Sequence, residues 1–335
     1  MFSILIPSWN NLAYLKLCVD SIRRHSSAEH EVIVLVNDGR DGTLDWVREQ
    51  GLAHVHAPAN IGVCLSVNLL AAQATRPWLV YLNDDMVCAP GWDTAFATEI
   101  ARADDDLMLL SSTLIEPAAT GNALVLVDDF GRTAETFDAA RFAREHSRLP
   151  ASDRWGRASQ PTVISRRWWH MVGGYSIEFG PGMSSDDDLL MKLWVTGCRR
   201  YKVLGDSRVY HFACRSTGRV RRNKGARTFA MKWGITQGEF KRRFLQLSDP
   251  AANTDPGLPA STAAGRAKRV AYALGGDFPL GDLGAWDPAP GRHVRAAATP
   301  TPTPGGGAGM SAAHGRSEGA LNSLGEPSAA RRVVP

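Results

Sequence analysis

Short apolar runs that each stop at a polar cluster impose the tightest constraint on how this chain folds. Ile4–Ile6 stops at Pro7-Ser8-Trp9-Asn10, Val32–Val36 at Asn37-Asp38-Gly39, and Trp78–Leu82 at Asn83-Asp84-Asp85. Between them lie segments with helical spacing: Leu12, Leu15, Val19 and Ile22 first, then Thr43–Gln50, then Leu65–Ala74. Asn10 or Asn11 stands where it can cap the first of these helices. His54–His56 adds a third strand, which makes Trp78–Leu82 the fourth. Strand and helix in alternation build a parallel sheet with helices on its faces. Ligands of such sheets bind beyond the carboxyl ends of the strands, and the three polar clusters fall there.

Downstream the rhythm loosens. Leu107–Ile115 reads as a strand, Phe137–His146 as a helix inside an irregular stretch, and Val163–Ser165 as another strand. Leu189–Val195 reads as a helix that follows three aspartates, and Val203 and Val209 mark short strands. From Ser248 onward Pro, Gly, Ala, Ser and Thr dominate, and Thr299–Gly307 reads TPTPTPGGG. Such a composition buries too little apolar surface to offset its ordering entropy. Residues 248–335 are therefore expected to form a mostly disordered tail, with Val270–Leu274 and Phe278–Trp286 as short docked pieces. Truncation near Ser248 should then leave stability largely unchanged.

Bulk properties exclude several classes. A formal charge of +4 on 335 residues is too weak to argue for nucleic acid as a partner. Five cysteines, an odd number with no C-x-x-C pair, speak against a disulfide framework or a thiolate zinc site, and for a reducing compartment. The opening Phe2-Ser3-Ile4-Leu5-Ile6 has no basic region before it and reads as a strand, not a signal peptide. No stretch approaches the roughly 18–20 apolar residues of a membrane span. The expectation is a cytoplasmic protein, peripheral at most to the inner membrane face. The first strand is not followed by G-x-G-x-x-G, so a dinucleotide oxidoreductase is excluded.

Three clusters carry chemical promise. Adjacent side chains on an extended segment point to opposite faces, so one carboxylate of Asn83-Asp84-Asp85 can take a divalent cation while the other accepts hydrogen bonds from a sugar. The same three residues could equally be a polar turn whose Asp caps the next helix. In Ser184-Ser185-Asp186-Asp187-Asp188-Leu189, successive helical residues turn by about 100°, so three carboxylates cannot share one role. Carboxylates in a first turn complement the helix dipole, worth about 0.3–1 kcal/mol each. His211, after Val209-Tyr210, is a structural histidine or a ligand. Residues 215–243 are dense in Arg and Lys with aromatics interleaved; this is a solvated helix face, a diphosphate-gripping loop or a contact with anionic lipid.

Taken in order, these segments resemble the family 2 glycosyltransferases. Ile6-Pro7-Ser8-Trp9-Asn10, Val34–Gly39 with Asp41-Gly42-Thr43, Asn60-Ile61-Gly62 with Asn68, and Tyr81–Met86 with Pro90-Gly91-Trp92 match the donor half of that family. Gly173-Gly174-Tyr175 and Asp186–Leu189 match the acceptor half. The resemblance covers roughly residues 2–247. It implies an α/β protein of the GT-A fold, with a mainly parallel central sheet flanked by helices. Residues 1–110 would bind the nucleotide-sugar, 111–247 the acceptor, and 248–335 would be the tail. It implies an inverting, Mn²⁺- or Mg²⁺-dependent transferase using a nucleotide-sugar, UDP-linked by preference, and an unidentified glycan, lipid-linked or small-molecule acceptor. Asp38 would meet the base with Pro7 and Ser8, Asp84 the ribose, and Asn10, Asn60 and Asn83 would lie on the same ligand. Asp85 and His211 would hold the metal, and Asp186 would be the general base. The chain departs from the family at Asn37 and Asn83, where Asp is common, and at Ser185, where the base motif often has Glu. A non-catalytic nucleotide- or glycan-binding protein on the same fold is the alternative.

Overall fold

The computed structural model describes residues 1–120, 125–156, 160–213, 223–245 and 258–274. These all belong to one unit, 1–290. The strands are β1 (Phe2–Trp9), β2 (Glu31–Asn37), β3 (Ala53–Ala57), β4 (Trp78–Tyr81), β5 (Met86–Cys88), β6 (Met108–Glu116), β7 (Val125–Val127), β8 (Arg154–Trp155), β9 (Thr162–Ser165) and β10 (Arg200–His211). The helices are α1 (Leu12–His25), α2 (Thr43–Glu49), α3 (Gly62–Gln73), α4 (Trp92–Ala101), α5 (Ala139–Glu145), α6 (Arg166–Met171), α7 (Ser185–Val195), α8 (Gly225–Trp233), α9 (Gln237–Arg243) and α10 (Ala263–Leu274).

Among the described residues the strands form one sheet in the order β3-β2-β1-β4-β9-β6-β10-β5, with β7 on β6 and β8 on β10. β1 pairs in parallel with β2 and β4, and β2 with β3. β9 then runs antiparallel between β4 and β6, and β10 parallel to β6. The sheet is thus more mixed than the alternating pattern suggests, and it runs unbroken through the expected boundary at residue 110. Side chains alternate across β1 as the pleat requires. Leu5 packs with α3 residues Val67 and Leu70, while Ile4 and Ile6 pack with Leu15, Val19 and Ile22 of α1.

Several expected boundaries move for identifiable reasons. β1 does not stop at Pro7. Its ladder with β4 ends at Leu5 while that with β2 continues to Trp9, so a residue without an N–H is tolerated there. Neither asparagine caps α1 through its side chain; Asp41 does so from the next loop, its Oδ2 accepting from Leu12 N at 2.9 Å. The other oxygen of Asp41 accepts from Thr43 N and Thr43 Oγ1, so one carboxylate opens both α1 and α2. α7 begins at Ser185, which puts all three aspartates inside its first turn. Val203 and Val209 lie on one long strand, β10, with a bulge between Leu204 and Arg208. The four described cysteines are free and buried. Among the described residues no helix is long and apolar enough to cross a membrane.

The segment expected as tail contains α10, which takes in Val270–Leu274; Phe278–Trp286 lies outside the described residues. Composition concealed what anchors it, because the anchor is polar. Buried Glu239 forms the capping box of α9 with Thr236. Its Oε1 also accepts from Thr262 N at 2.8 Å at the head of α10, and from the Thr262 hydroxyl. Gly265 packs so close that a Cβ there would stand 2.1 Å from Glu239 Oε2. Arg269 Nη1 donates to Gly234 O at 3.1 Å.

A chain ended before Leu258 should therefore melt below one ended after Leu274, and Glu239→Gln should cost about 1–3 kcal/mol by leaving buried donors unpaired. Both are read by thermal and urea unfolding. Burial alone would raise the Glu239 pKa, but the hydrogen bonds from Thr262 and Thr236 outweigh it and bring it from 4.5 down to about 2. A carboxylate lowered on folding contributes stability that is full above about 4.5 and lost as the pH falls toward 2. Wild type should lose stability across that window more steeply than Glu239→Gln.

Candidate active site

A cleft of about 410 Å³ opens at the carboxyl ends of β1, β2 and β4. Pro7, Ser8, Trp9, Asn37, Asn60 and Asn83–Asp85 line one wall. Gln160, Met183, Ser185 and Asp186 close it from the side of α7, and His211 reaches it from β10 beside Asp85. The cleft therefore gathers Pro7, Ser8, Asn60, Asn83, Asp84, Asp85, Asp186 and His211 from the sequence-predicted set.

Asn10 and Asp38 do not line it. They lie together at its margin, both with left-handed backbone, φ +46° and +67°, a conformation that Asn and Asp tolerate better than other side chains. Asn10 Nδ2 donates to Asp38 Oδ2 at 3.1 Å, and Gly39 N donates to Asn10 Oδ1 at 3.0 Å. Arg40 Nη2 lies 2.6 Å from the Asp38 carboxylate, and its hydrogen bond foremost holds that carboxyl below the usual range. Asn37 and Asn60 spend their side-chain oxygens on the turn into α3, accepting from Ile61 N and Gly62 N at 2.9 Å each.

Asp84 is fixed by Ser8, whose hydroxyl donates to Oδ2 at 2.7 Å across two strand ends. Asp85 is 5% exposed. Its Oδ1 faces His211 Nε2 at 3.6 Å, and the other ring nitrogen of His211 lies 2.8 Å from Glu116 Oε1. Burial would lower the His211 pKa, but the bond to Glu116 and the charges of Asp85 and Glu116 raise it overall. The 3.6 Å gap is longer than a good hydrogen bond and shorter than two metal–ligand bonds of about 2.1 Å laid end to end. One divalent cation can touch both atoms, and an oxygen with an imidazole nitrogen suits Mn²⁺. Among the described residues no group of three or more His, Cys, Asp and Glu is arranged to hold a metal. Two protein ligands completed by phosphate oxygens is a common arrangement for such ions.

The three aspartates of α7 have separate surroundings. Asp188 is fully buried and accepts from Ser176 Oγ at 2.6 Å and Trp233 Nε1 at 2.8 Å, with Lys232 Nζ at 2.8 Å and Lys192 Nζ at 3.5 Å. Asp187 pairs with Lys241 Nζ at 2.7 Å and accepts from Gln237. Asp186 is exposed on the cleft, its Oδ1 accepting from Tyr175 Oη at 2.7 Å and Gln160 Nε2 at 2.9 Å. Tyr175 is set in turn by Asn68, whose side chain takes both backbone groups of that residue at 2.7 and 2.9 Å.

Sequence reasoning missed Gln160, Glu116 and the contact of Tyr175 with Asp186. Only Glu116 left a signal, as a lone carboxylate closing a strand whose nine positions are all buried. The basic segment is also reassigned in part, since Lys232 and Lys241 point inward to Asp188 and Asp187. Arg215, Arg219, Arg221 and Arg222 lie outside the described residues.

A sheet of this order, with a cleft over the ends of its parallel strands, has the architecture of the GT-A class. Residues 3–145 match the family model described as Glycosyl transferase family 2. A "PGL/p-HBAD biosynthesis glycosyltransferase" of Mycobacterium bovis (strain BCG / Pasteur 1173P2) is 33% identical over 90 residues, 25% of this chain and 35% of that protein. A protein of the same name from Mycobacterium tuberculosis (strain ATCC 25177 / H37Ra) matches equally. The match spans about a third of the length of these relatives. The crystal structure of S. aureus TarS 1–349 aligns with TM-score 0.47 at 15% identity, covering 63% of this chain and 60% of that one. The same fragment in complex with UDP aligns with TM-score 0.47 at 15% identity, covering 62% and 59%.

The Asp188 environment revises the dipole-only expectation for that residue. Asp188→Asn should cost about 3–5 kcal/mol, the range for breaking a buried ion pair, because Lys232 and Lys192 lose their counter-charge. Urea unfolding measures it; a loss near 0.5 kcal/mol would mean the dipole alone is at work.

Proposed function

We propose that this chain is an inverting glycosyltransferase that moves a sugar from a nucleotide-diphosphate sugar, UDP-linked by preference, to a hydroxyl of a glycan, lipid-linked or small-molecule acceptor. The observation that carries the reading is the division of one cleft between two kinds of carboxylate. Asp84 and Asp85 stand with His211 on one side, and Asp186 stands exposed on the other. Asp187 and Asp188 are consumed by lysines and by α8 and α9, which leaves Asp186 as the α7 carboxylate on the cleft.

In this account the nucleotide lies over the ends of β1 and β2, with Pro7, Ser8 and Trp9 beneath it and Asp38 at its margin. Asp84, held by Ser8, accepts hydrogen bonds from the ribose. Asp85 and His211 hold Mn²⁺ or Mg²⁺, which when bound neutralises charge on the leaving diphosphate. Asp186 takes the proton of the acceptor hydroxyl as the oxygen–carbon bond forms and the carbon–oxygen bond to the diphosphate breaks. Tyr175 and Gln160 hold that carboxylate in place through Oδ1. Attack opposite the leaving group inverts the anomeric centre. A peripheral contact with anionic lipid through residues 215–243 belongs to the same proposal, with Lys224, Arg242 and Arg243 as exposed cations there.

Asp186→Asn preserves shape but cannot accept the proton at neutral pH. Donor affinity should stay within about twofold of wild type while transfer falls by roughly 10²- to 10⁴-fold, the usual worth of a general base. Calorimetric titration with UDP and a turnover assay on the same preparations measure the pair. Unchanged transfer would remove Asp186 from this role. Separately, chelation with EDTA should weaken UDP binding in wild type and have little effect in Asp85→Ala.

A further inference from the structure

The proposed reaction leaves Glu116 unused, although its position is among the most determined in the sheet. β10 lies between β6 and β5. On one side Tyr210 pairs with Ile115, so the next step sets His211 beside Glu116. On the other side His211 pairs with Met86, one residue from Asp85, and Phe212 N donates to Asp85 O at 3.2 Å. Two ladders thus bring the three side chains together at one edge, and the imidazole stands between the carboxylates. Glu116 Oε1 lies 2.8 Å from Nδ1, and Asp85 Oδ1 lies 3.6 Å from Nε2. Glu116 is 5% exposed, whereas Asp85 and His211 line the cleft and Glu116 does not.

A neutral imidazole carries one N–H, and an ionised carboxylate only accepts. The hydrogen bond to Glu116 therefore places the proton on Nδ1 and leaves the Nε2 lone pair directed toward Asp85 and the cleft. A carboxylate behind a histidine also raises the basicity of the far nitrogen and fixes the ring's orientation. We infer that Glu116 is a positioning residue: it holds His211 in the Nδ1–H form so that Nε2 joins Asp85 Oδ1 in binding a divalent cation. This rests on the proposed role of Asp85 and His211 as the metal pair. It accounts for a carboxylate at the end of a strand that is otherwise apolar or hydroxylic.

The test uses the full chain and two readouts apart from turnover. In metal-free wild type, at alkaline pH where the imidazole is neutral, ¹⁵N NMR of His211 should report a protonated Nδ1 and a bare Nε2. Calorimetric titration of Mn²⁺ in the presence of UDP should then show Glu116→Gln binding the ion about 10- to 100-fold more weakly. Its melting temperature should stay close to wild type, and Glu116→Asp should recover part of the affinity. In a His211→Ala background Glu116→Gln should have no further effect, since Glu116 acts only through the histidine. A protonated Nε2 in wild type, undiminished Mn²⁺ affinity in Glu116→Gln, or an additive loss in the double variant would each overturn the inference while leaving Asp85 and His211 as ligands. If wild type takes up no Mn²⁺ with UDP present, the metal reading fails and this inference falls with it.

Discussion

The wall of the cleft built by α7 depends on one buried charge. Asp188 sits without solvent among two lysines, an indole N–H and a serine hydroxyl. A carboxylate so placed is stable only with its partners present, because desolvation of an unpaired ion costs several kcal/mol. Those partners come from three places in the chain: Lys192 one turn on in α7, Ser176 from the segment before it, and Lys232 and Trp233 from α8. Asp188 therefore pins the first turn of α7 to both neighbours. With successive residues about 100° apart, fixing Asp188 inward also fixes where Asp186 projects.

The opposite wall is held by backbone register. β1 and β2 end level at Trp9 and Asn37, β4 ends earlier, opposite Leu5, and the polar residues that follow interlock. Ser8 reaches Asp84, Asn10 reaches Asp38 and Gly39, and Asn37 reaches the turn into α3. β10 then carries His211 to the same edge by pairing between β6 and β5. The two walls approach where Val63 N donates to Pro181 O at 2.9 Å, and where Gly62 packs so close to Pro181 that a Cβ would meet it at 2.9 Å.

How much of this was legible follows from what each feature depends on. The alternation of strands and helices through residue 82 is local, and the apolar runs showed it. The strand ends were legible because polar residues stop such runs. Asp186 was separable from Asp187 and Asp188 only through the family resemblance, because their partners Lys232, Trp233, Gln237 and Lys241 lie some fifty residues away and no pattern announces the pairing. Glu116 and the insertion of β9 between β4 and β6 depend on sheet order, which periodicity does not carry. Of α10 only the end, Val270–Leu274, was legible as a docked piece; its start and its anchor were not, because the anchor is one carboxylate accepting hydrogen bonds from a threonine and an Ala- and Arg-rich segment offers little apolar signal.

If Asp186 stands opposite the leaving diphosphate as the base, the anomeric outcome follows from geometry alone, and water can replace the unknown acceptor. The direct measurement is ¹H NMR of the sugar released during slow hydrolysis of an α-linked UDP-sugar, recorded before mutarotation scrambles the anomers. The account predicts that the β-anomer forms first. First release of the α-anomer would contradict it, since retention needs no base on that wall.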